Sequence, residues 1–90
     1  MIGAELITQE RRRQINSEGY SYEHDDKHNN GELAYVASCY AGRFIHSQSP
    51  LPPAWPWESQ HWKPSDNPIR NLIKAGALIA AEIDRLQRRS

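Results

Sequence analysis

Residues 67–88 read NPIRNLIKAGALIAAEIDRLQR, and their periodicity decides the fold class. Ile69, Leu72, Ile73, Gly76, Ile79, Ala80, Ile83 and Leu86 recur every three or four positions. That spacing draws one apolar stripe along about five helical turns. Asn67 is a suitable cap, Pro68 fits the first helical position, and Asp84 can pair with Arg88 at i+4. The spacing therefore predicts a long helix over residues 67–88.

Two more helices are expected upstream. Leu33, Val36, Ala37 and Tyr40 fall on one face of a helix over about 30–41, with Asn29 and Glu32 at capping-box spacing and Gly42 as the stop. A first helix over about 4–18 has only Leu6, Ile7 and Ile15 as its apolar edge, so it must rest on another element. Its Arg11-Arg12-Arg13 run points in three directions and reads best as a solvated face.

Between the second and third helices, residues 43–66 hold Pro50, Pro52, Pro53, Pro56 and Pro64 together with all three tryptophans, Trp55, Trp57 and Trp62. A structureless loop of this length is uncommon in a compact domain, and tryptophan is costly to leave in water. This segment is expected to be an irregular but ordered arm that packs. The expectation is thus a single all-α domain over 1–90. Its three principal helices and Pro/Trp-rich arm would pack as an oligomeric helical bundle, because the long stripe exceeds what so small a chain can cover.

Eleven basic and eleven acidic residues cancel to a net charge of zero, which removes the electrostatic footprint of a nucleic-acid or membrane binder. The lone Cys39 excludes an internal disulfide. Residues 1–8 are too short and too polar at Glu5 for a secretory h-region, so a cytoplasmic location is expected.

The densest set of possible ligands is Glu23, His24, Asp25, Asp26, His28 and Glu32. Carboxylates with imidazoles suit a divalent cation, and His24, Asp25, Asp26 and Glu32 are the candidate set for magnesium. The plain alternative is a polar connector that turns the chain and caps the next helix. Arg70 and Lys74, four apart near a helix N-terminus, oppose the helix dipole and call for a compensating anion, either a phosphate or the acidic segment itself. Tyr20, Tyr22, Trp55, Trp57 and Trp62 could stack on a nucleobase, but for most of them packing into the core is the better reading. Cys39 has no histidine at a telling spacing and reads as a small buried residue.

Taken in order, Glu10-Arg11-x-x-Gln14, Glu18-Gly19-Tyr20, Glu23-His24-Asp25-Asp26-x-His28 and Gly31-Glu32-Leu33 resemble a group of small phage and prophage proteins. The likeness continues through Cys39-Tyr40-Ala41, Trp55-Pro56-Trp57, Trp62-Lys63-Pro64 and the Lys74-to-Ile83 run. A more distant pattern is similar to MazG-like nucleotide pyrophosphohydrolases, all-helical oligomeric enzymes that bind magnesium through paired carboxylates. That resemblance implies Glu32 as one catalytic acid, and in a hydrolase reading Asp25 and Asp26, with His24, would stand in for acids that are missing. The pattern departs from it at Tyr35, at Asn71 with Lys74, and at Arg85, where further acids are expected.

The reading that follows is a phage-type protein that binds a nucleotide or related phosphorylated ligand, and so could sequester a host signalling nucleotide. Its ligand-binding residues would be Arg70, Lys74, His24, His28, Tyr20 and Trp57. The alternatives are a magnesium-dependent pyrophosphohydrolase and a module that grips a host protein.

Overall fold

The computed structural model describes residues 1–89, and among them no strand occurs. Four helices run in order: α1 (Gly3–Ser17), a short α2 (Tyr22–Asp26), α3 (Glu32–Tyr40) and α4 (Pro68–Arg89), with one 3₁₀ turn at Ser59–His61 in the arm. The three expected helices are present with shifted ends, and α2 forms within the segment expected to be a connector. Helices α1 and α3 both pack on α4, which is the spine of the molecule.

The face expected on α3 is the centre of the core: Leu33, Val36, Ala37 and Tyr40 are all buried. The start of α3 differs in detail, because the Glu32 carboxylate accepts from the Asn30 N–H at 2.6 Å rather than closing a box with Asn29.

Most of the stripe on α4 is not the face that packs within the chain. Buried positions are Asn71, Ala75, Ala77, Leu78, Ala81 and Arg85, whereas Ile69, Leu72, Ile79, Ile83 and Leu86 stand 45–60% exposed. Small side chains explain the choice, since alanine and glycine let neighbouring helices approach closely. At the α1 crossing, a Cβ on Gly76 would lie 2.5 Å from Ile7 Cδ1, so only glycine fits there without displacement.

Helix α1 buries Glu10, Arg11 and Gln14 while its apolar Leu6, Ile7 and Ile15 are only half-buried. The arginine run is therefore not a uniform solvated face. Arg11 pairs with the buried Asp25 and Arg13 bridges Glu10 and Glu18, while Arg12 is exposed. These charges look like surface in the sequence because their partners lie on other turns and other helices.

The arm is ordered by hydrogen bonds from the helices, as a chain segment without ladder partners must be. Asn71 donates through Nδ2 to the Ile45 and Ser65 carbonyls and accepts from the Ser65 N–H, fastening both ends of the arm to α4. Tyr40 Oη donates to the His61 carbonyl and accepts from the Lys63 N–H. The Trp62 indole donates to the Ser49 carbonyl at 3.0 Å, and Tyr35 donates to the Pro53 carbonyl. Trp55, Trp57 and Trp62 are partly buried against the core, so the arm carries the aromatic mass that the short helices lack.

Candidate functional site

Gln14 begins the construction of the site. Its carbonyl accepts from both the Glu18 and Tyr20 N–H groups, and Gly19 at φ 74° supplies the left-handed turn that brings the chain back over α1. This delivers Tyr20 to the core. Ser21 then caps α2 through its hydroxyl, which accepts from the His24 N–H at 3.2 Å. One turn of α2 sets His24 over Tyr20, with ring centroids 4.5 Å apart and planes within 6°. His28 meets His24 edge-on at 4.7 Å. From the arm, Trp57 closes the group at 5.5 Å from Tyr20, 5.8 Å from His24 and 5.3 Å from His28.

Four of the expected ligand-binding residues, Tyr20, His24, His28 and Trp57, thus converge from three separate stretches of chain. Beside them opens a cleft of about 590 Å³ lined by Glu18, Tyr20, His24, Pro56, Trp57, Glu58 and His61. That volume lies within the range of small-molecule sites. Behind it lies a second void of about 30 Å³, whose walls include Glu10, Gln14, Lys63 and Lys74 and which shares Glu18, Tyr20, Trp57 and His61 with the cleft.

The imidazoles are oriented by their neighbours. His24 Nδ1 lies 2.9 Å from Asp25 Oδ1, and Asp25 is fully buried with Arg11 Nη2 2.7 Å from its other oxygen. The tautomer that satisfies this carboxylate carries the proton on Nδ1 and leaves Nε2 as an acceptor. His28 is held below its ordinary pKa by burial and by nearby His24. Its neutral ring can accept at Nδ1 from the Trp57 indole, 3.4 Å away, and the 3.5 Å approach of Glu32 is then a contact rather than an ion pair. Burial pushes the Tyr20 phenol up to about 12, so it stays a neutral donor.

The expected cations are placed differently. Arg70 pairs with Glu10 at 2.8 Å and lines a separate surface groove with Leu6, Gln9, Arg13 and Ile73. Lys74 does reach the inner void, where Nζ donates to the Lys63 carbonyl at 2.6 Å and sits over the Tyr40 ring. Burial and the Arg70 charge lower its pKa. Neither cation is paired with His24, Asp25, Asp26 or Glu32, so the compensation expected between these sets is absent. Each set finds other partners: Asp25 takes Arg11, Asp26 takes Arg88 at 2.7 Å, and Glu32 takes the Asn30 N–H.

His24, Asp25, Asp26 and Glu32 do not form a metal centre. Among the described residues no three His, Cys, Asp or Glu side chains are placed to hold one ion. Magnesium needs several oxygens converging on one point, and here Asp25, Asp26 and Glu32 are dispersed onto Arg11, Arg88 and the Asn30 N–H. Asn71, which stands where the distant resemblance would place an acid, fastens the arm instead. Cys39 is half-buried, and burial raises its thiol pKa, the reverse of an activated nucleophile.

Gln14, Glu18, Glu58 and His61 belong to the site but were not among the residues expected from sequence to bind a ligand. Gln14 is 3% exposed, and its Oε1 is the one fully buried side-chain polar atom without a partner among the described residues. Glu18 accepts from Arg13 at 3.0 Å and lies 3.6 Å from Lys63, both through Oε1. The signal was the i, i+4, i+8 spacing of Glu10, Gln14 and Glu18, a polar stripe on one face of α1. Comparison with protein-family models, with curated proteins and with solved structures gives no match to this chain.

Proposed function

We propose that this protein binds a small ligand through a flat heteroaromatic ring, with the base of a nucleotide as the representative case, and does not turn it over. The observation that carries the reading is the convergence of Tyr20, His24, His28 and Trp57 beside a cleft of about 590 Å³. An aromatic side chain offers a π-face to any base, and stacking on it contributes about 1–3 kcal/mol per base. Binding without hydrolysis is the better-supported form because the acids are committed to Arg11, Arg88 and the Asn30 N–H. A binder of this kind, encoded by a phage, would act by holding a host nucleotide out of circulation.

Titration of the full chain with nucleosides and nucleotides, read by quenching of tryptophan fluorescence and by calorimetry, tests the reading. Saturable binding that Trp57→Leu weakens at least about tenfold is the expected result. Nucleoside triphosphates incubated with the protein and magnesium should emerge intact on chromatography. Release of monophosphate and pyrophosphate by wild type, but not by Glu32→Gln, would instead establish the hydrolase.

A second reading concerns partners, and the exposed stripe on α4 favours it. The face suits a second copy of this chain. In an antiparallel pair of α4 helices Ile69 would oppose Leu86, Leu72 would oppose Ile83, and the next pair outward would set Asp66 against Arg89. A two-fold interface needs such self-complementarity. Asp66 also lines an apolar groove with Phe44, Ile45 and Leu72, where the partner's helix end would rest. A host protein seated on this face is the competing occupant.

A further inference from the structure

One fully buried side-chain polar atom among the described residues has no partner, it lies in the wall of the inner void, and its character bears on what the ligand must carry. Gln14 Oε1 is buried and accepts nothing. Glu18 stands in the wall shared by cleft and void; both of its cationic neighbours approach Oε1, so Oε2 is unused by hydrogen bonds. Arg13 holds the Glu18 carboxyl below its ordinary pKa, so it is an acceptor. Glu58 adds a second carboxylate to the cleft wall. Several donors nearby are engaged: Arg13 on Glu10 and Glu18, Lys74 on the Lys63 carbonyl, and Trp57 towards His28.

A buried acceptor left unpaired costs about 1–3 kcal/mol, so a native site keeps one only where water or a ligand supplies the donor. The inner void is large enough for about one water molecule or one amino group, and too small for a phosphate. The aromatic walls and the acceptor-lined inner end together select a ring that is flat and carries hydrogen-bond donors along one edge.

We infer that the cleft recognises an amino-substituted heteroaromatic ring, of which guanine with its adjacent ring N–H and exocyclic amine is the best-matched base, reading its donor edge through Gln14 Oε1 and the Glu18 carboxylate. The inference rests on the ring-binding reading above and adds the edge and the residues that choose it.

The test compares guanosine with inosine, which differs only in lacking the exocyclic amine, on the full-length protein by calorimetry. Guanosine should bind at least about tenfold more tightly, since inosine keeps the ring N–H for Glu18 but lacks the amine assigned to Gln14 Oε1. Gln14→Met, similar in size but without an acceptor, should remove most of that preference. Circular dichroism of the variant checks that it is folded, and the wild-type comparison stands without it. Equal affinity for guanosine and inosine would overturn the donor-edge assignment, with Gln14 then served by a buried water only, and would leave ring binding standing. No binding of either nucleoside, or binding indifferent to Trp57→Leu, would overturn the ring-binding reading and this inference with it.

Discussion

Arg11 and Asp25 form an ion pair inside the protein, Nη2 to Oδ2 at 2.7 Å, with the Asp25 side chain wholly buried and that of Arg11 10% exposed. The pair joins α1 to α2, and through Asp25 Oδ1 it also sets the ring of His24. Burying two charges costs several kcal/mol of desolvation, which their mutual attraction offsets only while both are present. Removing one member is therefore far worse than replacing both.

Arg11→Met should accordingly cost about 3–5 kcal/mol, much of the stability of a domain this small. The double change Arg11→Met with Asp25→Leu should recover a large part of it, because no unpaired charge remains in the interior. Urea unfolding followed by circular dichroism measures both. An Arg11→Met variant within about 1 kcal/mol of wild type would show that the carboxylate finds other solvation.

The His28 ring gives the fold a pH dependence of definite sign. Burial, followed by the charge of His24, lowers its pKa from the ordinary 6.5. The unfolded chain then binds more protons than the folded one, so stability rises with pH. This contribution is fully present above 6.5 and is lost as pH falls towards the depressed folded value. Glu10 and Glu18 act in the same direction at lower pH. In Glu10 burial opposes the shift but the bonds from Arg13 and Arg70 prevail, and in Glu18 the Arg13 bond dominates. Thermal unfolding between pH 7.5 and 5 should therefore show a falling midpoint, with a shallower fall in His28→Gln. Identical slopes for the two proteins would remove His28 from the account.

How much of this was legible beforehand differs by element. The α3 face could be read directly, because Leu33, Val36, Ala37 and Tyr40 are apolar and buried together. The orientation of α4 could not. Periodicity locates an apolar stripe but not which neighbour covers it, and the inward side is made of Ala75, Ala77 and Ala81, whose value is closeness rather than hydrophobic mass. The buried charges of α1 were hidden for another reason, since the residue that makes Arg11 an interior group is Asp25 on another helix. At the candidate site, residue type was informative for Tyr20, His24, His28 and Trp57, which chemistry marks as stacking or titrating groups. Gln14 was not marked, because an orphaned acceptor is a property of surroundings and not of sequence. Arg70 and Lys74 were marked by their unfavourable helix position, but their compensation came from Glu10 and from the Lys63 carbonyl.

The crossing of α1 over α4 at Gly76 gives a third prediction. Alanine in place of a helical glycine ordinarily stabilises by about 1 kcal/mol. Here the added methyl would meet Ile7 Cδ1 at 2.5 Å and Cγ1 at 2.8 Å, an overlap that forces the half-buried Ile7 or the whole of α1 to shift. Overpacking of this kind costs about 1–3 kcal/mol, so Gly76→Ala should be destabilising on balance. Adding Ile7→Ala clears the overlap, and the double variant should be more stable than Gly76→Ala alone. If the single change proves stabilising, Ile7 turns aside freely and the crossing is loosely packed.

The last prediction concerns the outer face of α4. Ile69, Leu72, Ile79, Ile83 and Leu86 are each 45–60% exposed on one side of a helix of 22 residues. A contiguous apolar patch of this kind is a frequent sign of a protein–protein surface. Light scattering coupled to size-exclusion chromatography should find a dimer at micromolar concentration, and Leu72→Glu or Ile83→Glu should convert it to monomer with α-helical content unchanged. The antiparallel register makes a sharper demand. Opposing Asp66 to Arg89 predicts that Asp66→Arg and Arg89→Asp each weaken the dimer and that the two together restore it, as expected for complementary charges across an interface. A protein that stays monomeric at high concentration would leave the stripe to a different partner. A dimer indifferent to both glutamate substitutions would place its interface elsewhere on the molecule.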